Sequence, residues 1–269
     1  MSHGQGDLFS GSGLPARREP PPDAEPCAGA WDARGDAELI AALADADLAG
    51  CRAVTAEIGR RRSIGAIPAL EALCRRFAGF GLHQVVSEQA AALDALVAIG
   101  GPLAAQAVAR LLARGAVQGP GLKQVVRAAV ALGADLAPQT VLPLLRHDDP
   151  AIRADACRCI DSRSSPEAIR TALDLLEDLH EGVREAAAGA LGRAGRKEAR
   201  ECLVGLLRRK PSADVIDAIA PVADEDCIIL LARLGRENGD LRAAVLDALD
   251  AIDHPRARQA AATLRTGPG

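Results

Sequence analysis

From about residue 36 onward, apolar residues recur at three- and four-residue spacing, and polar or turn-forming residues interrupt them roughly every ten to fifteen positions. This period places Ala, Leu, Val and Ile on one stripe of each segment and predicts a succession of short amphipathic α-helices. The interruptions carry matching chemistry. In Asp148-Asp149-Pro150, Asp149 offers an N-cap and Pro150 suits the first helical position, where a missing N–H costs nothing. Asp240, before Leu241, is expected to cap in the same way. Pro68, Pro102, Pro138 and Pro166 fall near the start of further helices, and Pro143 lies deeper and should kink its helix.

The helical segments repeat. Val183 to Gly192 aligns with Ile152 to Asp161 at an offset of 31 residues, and Leu241 to Asp250 follows at a further 58, with room for a degenerate copy around Val215 to Val222. Earlier copies fit Arg52 to Gly59, Gln89 to Val97 and Val125 to Gly133, which gives about seven units. Each unit reads as a first helix, a polar turn and a second helix, as in 168–178, 179–182 and 183–192. The second unit carries an insertion around Ala78 to Val86, and the sixth is short. A single pair of this size cannot bury its apolar faces alone, so the pairs must stack.

Asp149-Pro150-Ala151-Ile152-Arg153 and Glu181-Gly182-Val183-Arg184-Glu185-Ala186-Ala187 resemble HEAT repeats, in particular the short bacterial kind also found in phycobilin lyase subunits. The resemblance covers roughly residues 36 to 262. It implies an all-α fold, an α-solenoid in the form of a right-handed superhelix of about seven HEAT-like helix pairs, with a concave face of the sort on which family members bind partners. The expected domains are a flexible Gly/Pro-rich arm over 1–34, the solenoid over 35–264 and a disordered tail over 265–269.

Composition supports the helical reading. Hydrophobic residues make up 49% of the chain, yet it has no Tyr, one Trp and three Phe, so its core is built from aliphatic side chains rather than the aromatic and β-branched residues that strands favour. A net charge of -4 gives no global reason to bind nucleic acid or an anionic membrane. The longest apolar runs fall well short of the ~20 residues that span a bilayer. With no leader-like segment at the N-terminus, a cytoplasmic location is expected. Seven cysteines, at 27, 51, 74, 157, 159, 202 and 227, are scattered through helical patterns and read as reduced, buried thiols.

Several side-chain groups invite a functional reading. Arg153, Arg184 and Arg242 occupy equivalent positions near the start of second helices and would form a ladder, either as an anionic peptide or phosphate site or as structural bonds to a neighbouring turn acid. His147, Asp148, Asp149, His180 and Glu181 lie in consecutive turns, but no ligand spacing of the CxxC or HExxH type marks a metal site. Cys157 and Cys159 point to different faces of one helix and read as packing. Arg60-Arg61-Arg62, Arg75-Arg76 and Arg208-Arg209-Lys210 sit at helix ends, where cations suit the dipole. No catalytic set, cofactor site or metal site is expected.

In the arm, Gln5-Gly6-Asp7-Leu8-Phe9 resembles the bacterial sliding-clamp-binding peptide, with Gln5 for a polar subsite and Leu8-Phe9 for an apolar pocket; Gly6 stands where that peptide has leucine. Three functions follow as expectations: a non-enzymatic protein–protein scaffold, a clamp-tethered accessory of DNA replication or repair acting through Gln5 to Phe9, and a chromophore (bilin) lyase-type subunit. The scarcity of aromatics disfavours the last, and it also disfavours nucleic-acid stacking.

Overall fold

The computed structural model describes residues 31–45 and 48–266, so the arm residues Gln5, Leu8 and Phe9 and the last three residues lie outside the described part. The described residues form fifteen α-helices and several 3₁₀ turns, with no strand among them. In chain order these are α1 (Asp36–Asp45), α2 (Leu48–Arg61), α3 (Ile67–Arg76), α4 (Ser87–Ile99) and α5 (Gly101–Ala113). They continue as α6 (Leu122–Leu132), α7 (Pro138–Leu145), α8 (Pro150–Arg158), α9 (Pro166–Asp174) and α10 (Glu181–Arg193). The last are α11 (Arg200–Arg209), α12 (Ala213–Ile219), α13 (Glu225–Glu237), α14 (Arg242–Ala251) and α15 (Pro255–Thr266). Seven pairs thus stack in order, and α15 extends the array to Thr266, past the expected start of the tail.

The helices form two rows. Each even-numbered helix packs on its even neighbours, the odd ones pack on odd from α1 to α9 and again at α13–α15, and each pair closes one even helix on one odd helix. Over most of the array the even row is the more tightly packed, most of all at α2–α4 and α8–α10. Small residues make this possible. A Cβ on Gly192 of α10 would fall 2.3 Å from the Ala218 carbonyl oxygen of α12 and 2.5 Å from Leu203 Cδ1 of α11, so only glycine admits that approach. The even helices, the second of each pair, are termed the inner row. Between the rows runs an aliphatic core, from Leu39 and Leu43 to Ala134 in the N-terminal half and from Val126 to Leu264 in the C-terminal half; Leu112, Leu122 and Leu136 pack against both parts and join them.

The turn chemistry acts locally as the sequence implies, with one correction. Asp149 accepts a hydrogen bond from the Ala151 N–H at 2.8 Å, with Pro150 at the first position of α8. Pro68, Pro102, Pro138 and Pro166 each stand in the first turn of a helix. Pro143 lies inside α7, which ends two residues later and is only 8 residues long. Asp240 does not cap α14. Asn238 accepts from the Leu241 N–H instead, because a 3₁₀ turn over Gly239–Leu241 precedes the helix and moves its start back. The short sixth unit is α12, 7 residues followed by a 3₁₀ turn over Ala220–Val222.

Two features sit where the sequence showed only breaks. Arg61, read as a helix-end cation, points inward instead. It donates to the carbonyls of Arg34 (2.6 Å), Trp31 (2.9 Å) and Asp32 (3.0 Å), so it fixes residues 31–34 onto the first pair, although the arm was expected to run through them. The Arg34 guanidinium lies 4.3 Å from the centre of the Trp31 ring. The insertion, residues 77–86, is held by backbone packing. Gly119 has φ 55°, and a Cβ there would meet the Gly81 carbonyl oxygen at 2.3 Å. Glycine at 119 therefore lets the α5–α6 loop lie directly on the insertion.

Candidate functional site

Each even helix from α4 to α12 buries three sides, against its two even neighbours and against the odd row, and leaves a fourth stripe exposed on the inner row; α2 and α14 have one even neighbour each. At helical spacing these stripes read Arg52-Ala56-Arg60 on α2, Lys123-Arg127-Ala131 on α6, Gly189-Arg193 on α10, and Asp214-Asp217 on α12. Alanine, glycine and charged residues dominate them. Two grooves open along this surface.

The first groove, between α2 and α4, has a volume of about 560 Å³. Ala56, Gly59, Ala91, Ala95 and Ala98 floor it, Arg52, Arg60 and Asp94 stand on its walls, and Val85 of the insertion forms its lip. Arg60 is tethered by Glu57 at 2.6 and 2.8 Å, and hydrogen bonds from Arg60 and Arg61 hold the Glu57 carboxyl down at about 2, so this carboxylate is ionised throughout the physiological range. The second groove, about 520 Å³, runs across α8, α10 and α12 between Arg158, Arg193, Glu185, Asp214 and Asp217. Beneath it the buried Asp155 pairs with Arg127 of α6 at 3.3 Å and with Arg158 at 2.5 Å. That carboxylate fixes two guanidinium groups at the surface above it.

The structure places the arginines singled out from sequence on the edge formed by the turns, away from both grooves. Arg153, 14% exposed, donates twice to Asp178 at 2.9 and 3.0 Å and reaches the carbonyls of His147 and Asp148. Arg184 repeats the local half of this pattern, donating to the carbonyls of Asp178 and Leu179. It has no acid to match Asp178, because Arg209 stands at the corresponding 25-residue offset. Arg242 donates to the Leu264 carbonyl in α15. The ladder is a set of separate fastenings between turns and helix ends.

The turn histidines likewise serve the backbone. His147 Nδ1 accepts from the Asp149 N–H at 3.0 Å, and His180 Nδ1 lies 3.4 Å from Asp178. Among the described residues no group of three or more His, Cys, Asp or Glu is arranged to hold a metal ion. The six described cysteines are free thiols, and burial pushes Cys74, Cys157 and Cys159 up to about 12. At neutral pH these three stay protonated and weakly nucleophilic.

The insertion adds apolar surface at the same turn edge. Phe80 is 72% exposed and meets Phe77 edge-on at 6.3 Å, and Leu82 is 55% exposed. Gln89, at the start of α4, was not singled out from sequence. It is buried and donates to the Cys74 carbonyl at 2.8 Å and the Ala116 carbonyl at 3.0 Å, tying two consecutive units together. A glutamine among alanines in a helix was its only trace in the sequence.

Residues 138–223, which span α7 to the turn after α12, match the HEAT repeat family, so this part of the chain consists of HEAT repeats. The match does not single out the phycobilin lyase kind. No curated protein matches the chain. Among solved structures, the crystal structure of an engineered protein is similar to 84% of this chain and 93% of its own, at 18% identity and a TM-score of 0.32, too low for the likeness to bear on fold or function. No helix among the described residues is long and apolar enough to cross a membrane.

Proposed function

We propose that this chain is a non-enzymatic scaffold that holds a protein partner along the inner row of helices. The observation that supports this reading is the continuity of that surface: seven parallel helices present one outward stripe each, with two open grooves along the way. Many modest contacts spread over such a surface suit an extended segment or a helix of a partner. The turn-edge arginines, by contrast, already spend their donors on carbonyls and carboxylates of this chain.

The sliding clamp remains a proposed second partner through Gln5, Leu8 and Phe9. Arg61 supports such a tether mechanically, because it anchors the point at which the arm leaves the first helix pair. A cytoplasmic location belongs to the same proposal.

The scaffold reading is tested by cross-linking full-length protein in native lysate with a photoreactive side chain at Ala56, Ala98 or Gly189, compared with the same probe at Leu103 on the outer row. Specific partner adducts from the inner positions alone support it. Adducts from Leu103 alone, or the same adducts from every position, overturn it. For the arm, Leu8→Ala/Phe9→Ala should abolish co-purification of the clamp while leaving inner-row adducts intact.

A further inference from the structure

The first groove opens where the described chain begins. Asp32 places a carboxylate oxygen 3.5 Å from the Arg60 guanidinium, and Arg60 forms one wall of the groove between α2 and α4. Arg61, the next residue, holds the carbonyls of Trp31, Asp32 and Arg34. The thirty residues that precede Trp31 therefore start from the mouth of this groove.

Within the groove α2 and α4 run in the same direction. Near the mouth Gly59 lies against Ala95 and Ala98, where a Cβ would sit 3.2 Å from Ala98 Cβ. At the far end, burial and the nearby Glu88 carboxylate push the Cys51 thiol up. Charged residues stand at intervals along this floor of alanine and glycine: Arg60 at the mouth, Asp94 of α4 midway, and Arg52 at the far end, in the neighbourhood of Glu88. Arg52, Asp94 and Glu88 make no hydrogen bond or ion pair among the described residues. Arg60 bonds Glu57 through Nε and Nη2, which leaves Nη1 for a further carboxylate.

Eight residues separate Arg52 from Arg60 along α2, a rise of about 12 Å. The arm carries opposite charge at the same spacing, in Glu19-Pro20-Pro21-Pro22-Asp23. Three consecutive prolines favour the polyproline conformation, at about 3.1 Å per residue, which sets Asp23 about 12 Å from Glu19. The uncharged prolines then fall opposite Asp94, and Arg17 and Arg18 fall beyond Arg52, on the Glu88 side. Residues 24–31, at up to about 3.3 Å each, give enough slack to turn from the groove into the anchored start at Asp32.

We propose that the first groove holds this chain's own arm, with residues 19–23 extended between α2 and α4, Glu19 against Arg52 and Asp23 against Arg60. The tether makes the contact intramolecular, so modest interactions count for more than they would between separate molecules. A partner on the inner row then finds the second groove open and the first closed until the arm is displaced. Gln5 to Phe9 stay outside the groove. This docking involves one chain alone and does not rest on the scaffold reading.

The test is a small diazirine side chain in place of Ala24 in purified full-length protein, with photo-adducts mapped by mass spectrometry. Adducts concentrated in residues 52–60 and 87–98 are expected. Adducts spread over the outer row as well, or none within the protein, overturn the proposal. Mixing natural-abundance and 15N-labelled chains separates the sources: light-to-heavy adducts would assign the groove to a second copy and overturn docking within one chain. Arg52→Glu should lower the groove adducts at least ~10-fold with an unchanged circular dichroism spectrum, and Glu19→Arg in the same chain should restore them. Groove adducts indifferent to Arg52→Glu, or a loss that Glu19→Arg does not repair, overturn it too. No partner is present in the purified protein, so failure here leaves the outcome of the lysate cross-linking to stand by itself.

Discussion

Arg153 and Asp178 are 25 residues apart in sequence and joined by two parallel hydrogen bonds, with both side chains largely withdrawn from solvent. The pair spans consecutive units, linking the start of α8 to the turn before α10. The hydrogen bonds from Arg153 hold the Asp178 carboxyl below the usual carboxylate range, with help from the His180 N–H. A carboxylate with a depressed folded-state pKa contributes stability above its unfolded value near 3.9, and loses it as pH falls through the folded value. Asp178→Asn should therefore cost about 2–4 kcal/mol at pH 7 by urea unfolding and flatten the loss of stability between about pH 4 and the folded value. An unchanged acid profile would show that the pair is not the source of that dependence.

Gly192→Ala should destabilise by about 2–3 kcal/mol, although alanine is ordinarily the better helix former by about 1 kcal/mol. The added methyl has no room between Ala218 and Leu203. Gly205→Ala in α11 is the control, with nothing within 4 Å of its new Cβ, and it should leave stability unchanged or raise it by up to about 1 kcal/mol. Opposite signs in thermal melts distinguish close approach from helix propensity.

Gln89→Leu removes two buried donors and leaves the carbonyls of Cys74 and Ala116 unsatisfied. The expected cost is about 2–4 kcal/mol, measured by denaturant unfolding. Hydrogen exchange should rise in both the α3–α4 and α5–α6 segments, since the one side chain fastens both.

Gly119→Ala should detach the insertion from the loop beneath it, because its Cβ would overlap the backbone at Gly81 and Leu82. Limited chymotrypsin digestion should then cut at Phe80 or Leu82 at least ~10-fold faster than in the parent, with the helical content unchanged.

Iodoacetamide at pH 7.5 should leave Cys74, Cys157 and Cys159 unmodified in the folded protein and label them after addition of urea, because their thiols titrate near 12 while buried. Mass-spectrometric mapping of labelling before and after unfolding checks this. Rapid native labelling of Cys157 would contradict its burial.

The sequence by itself determined the helices, their pairing and the Asp149 cap, though not the cap before α14. Apolar spacing, the 31-residue recurrence and Asp149-Pro150 are local signals, and local hydrogen bonding and burial of one stripe are what form each helix. The tertiary structure alone decided which charges have partners. Arg153 and Arg184 occupy the same template position, yet only Arg153 finds an acid, because the partner comes from the next unit, where Asp178 in one case and Arg209 in the other occupies the place. In the same way the roles of Arg61, Gln89 and Gly119 became visible only when stacking brought residues 31–34, Ala116 and Gly81 against them. A repeating sequence encodes contacts within a unit by its own period, whereas contacts between units depend on two sequences at once and on the distance at which packing sets them.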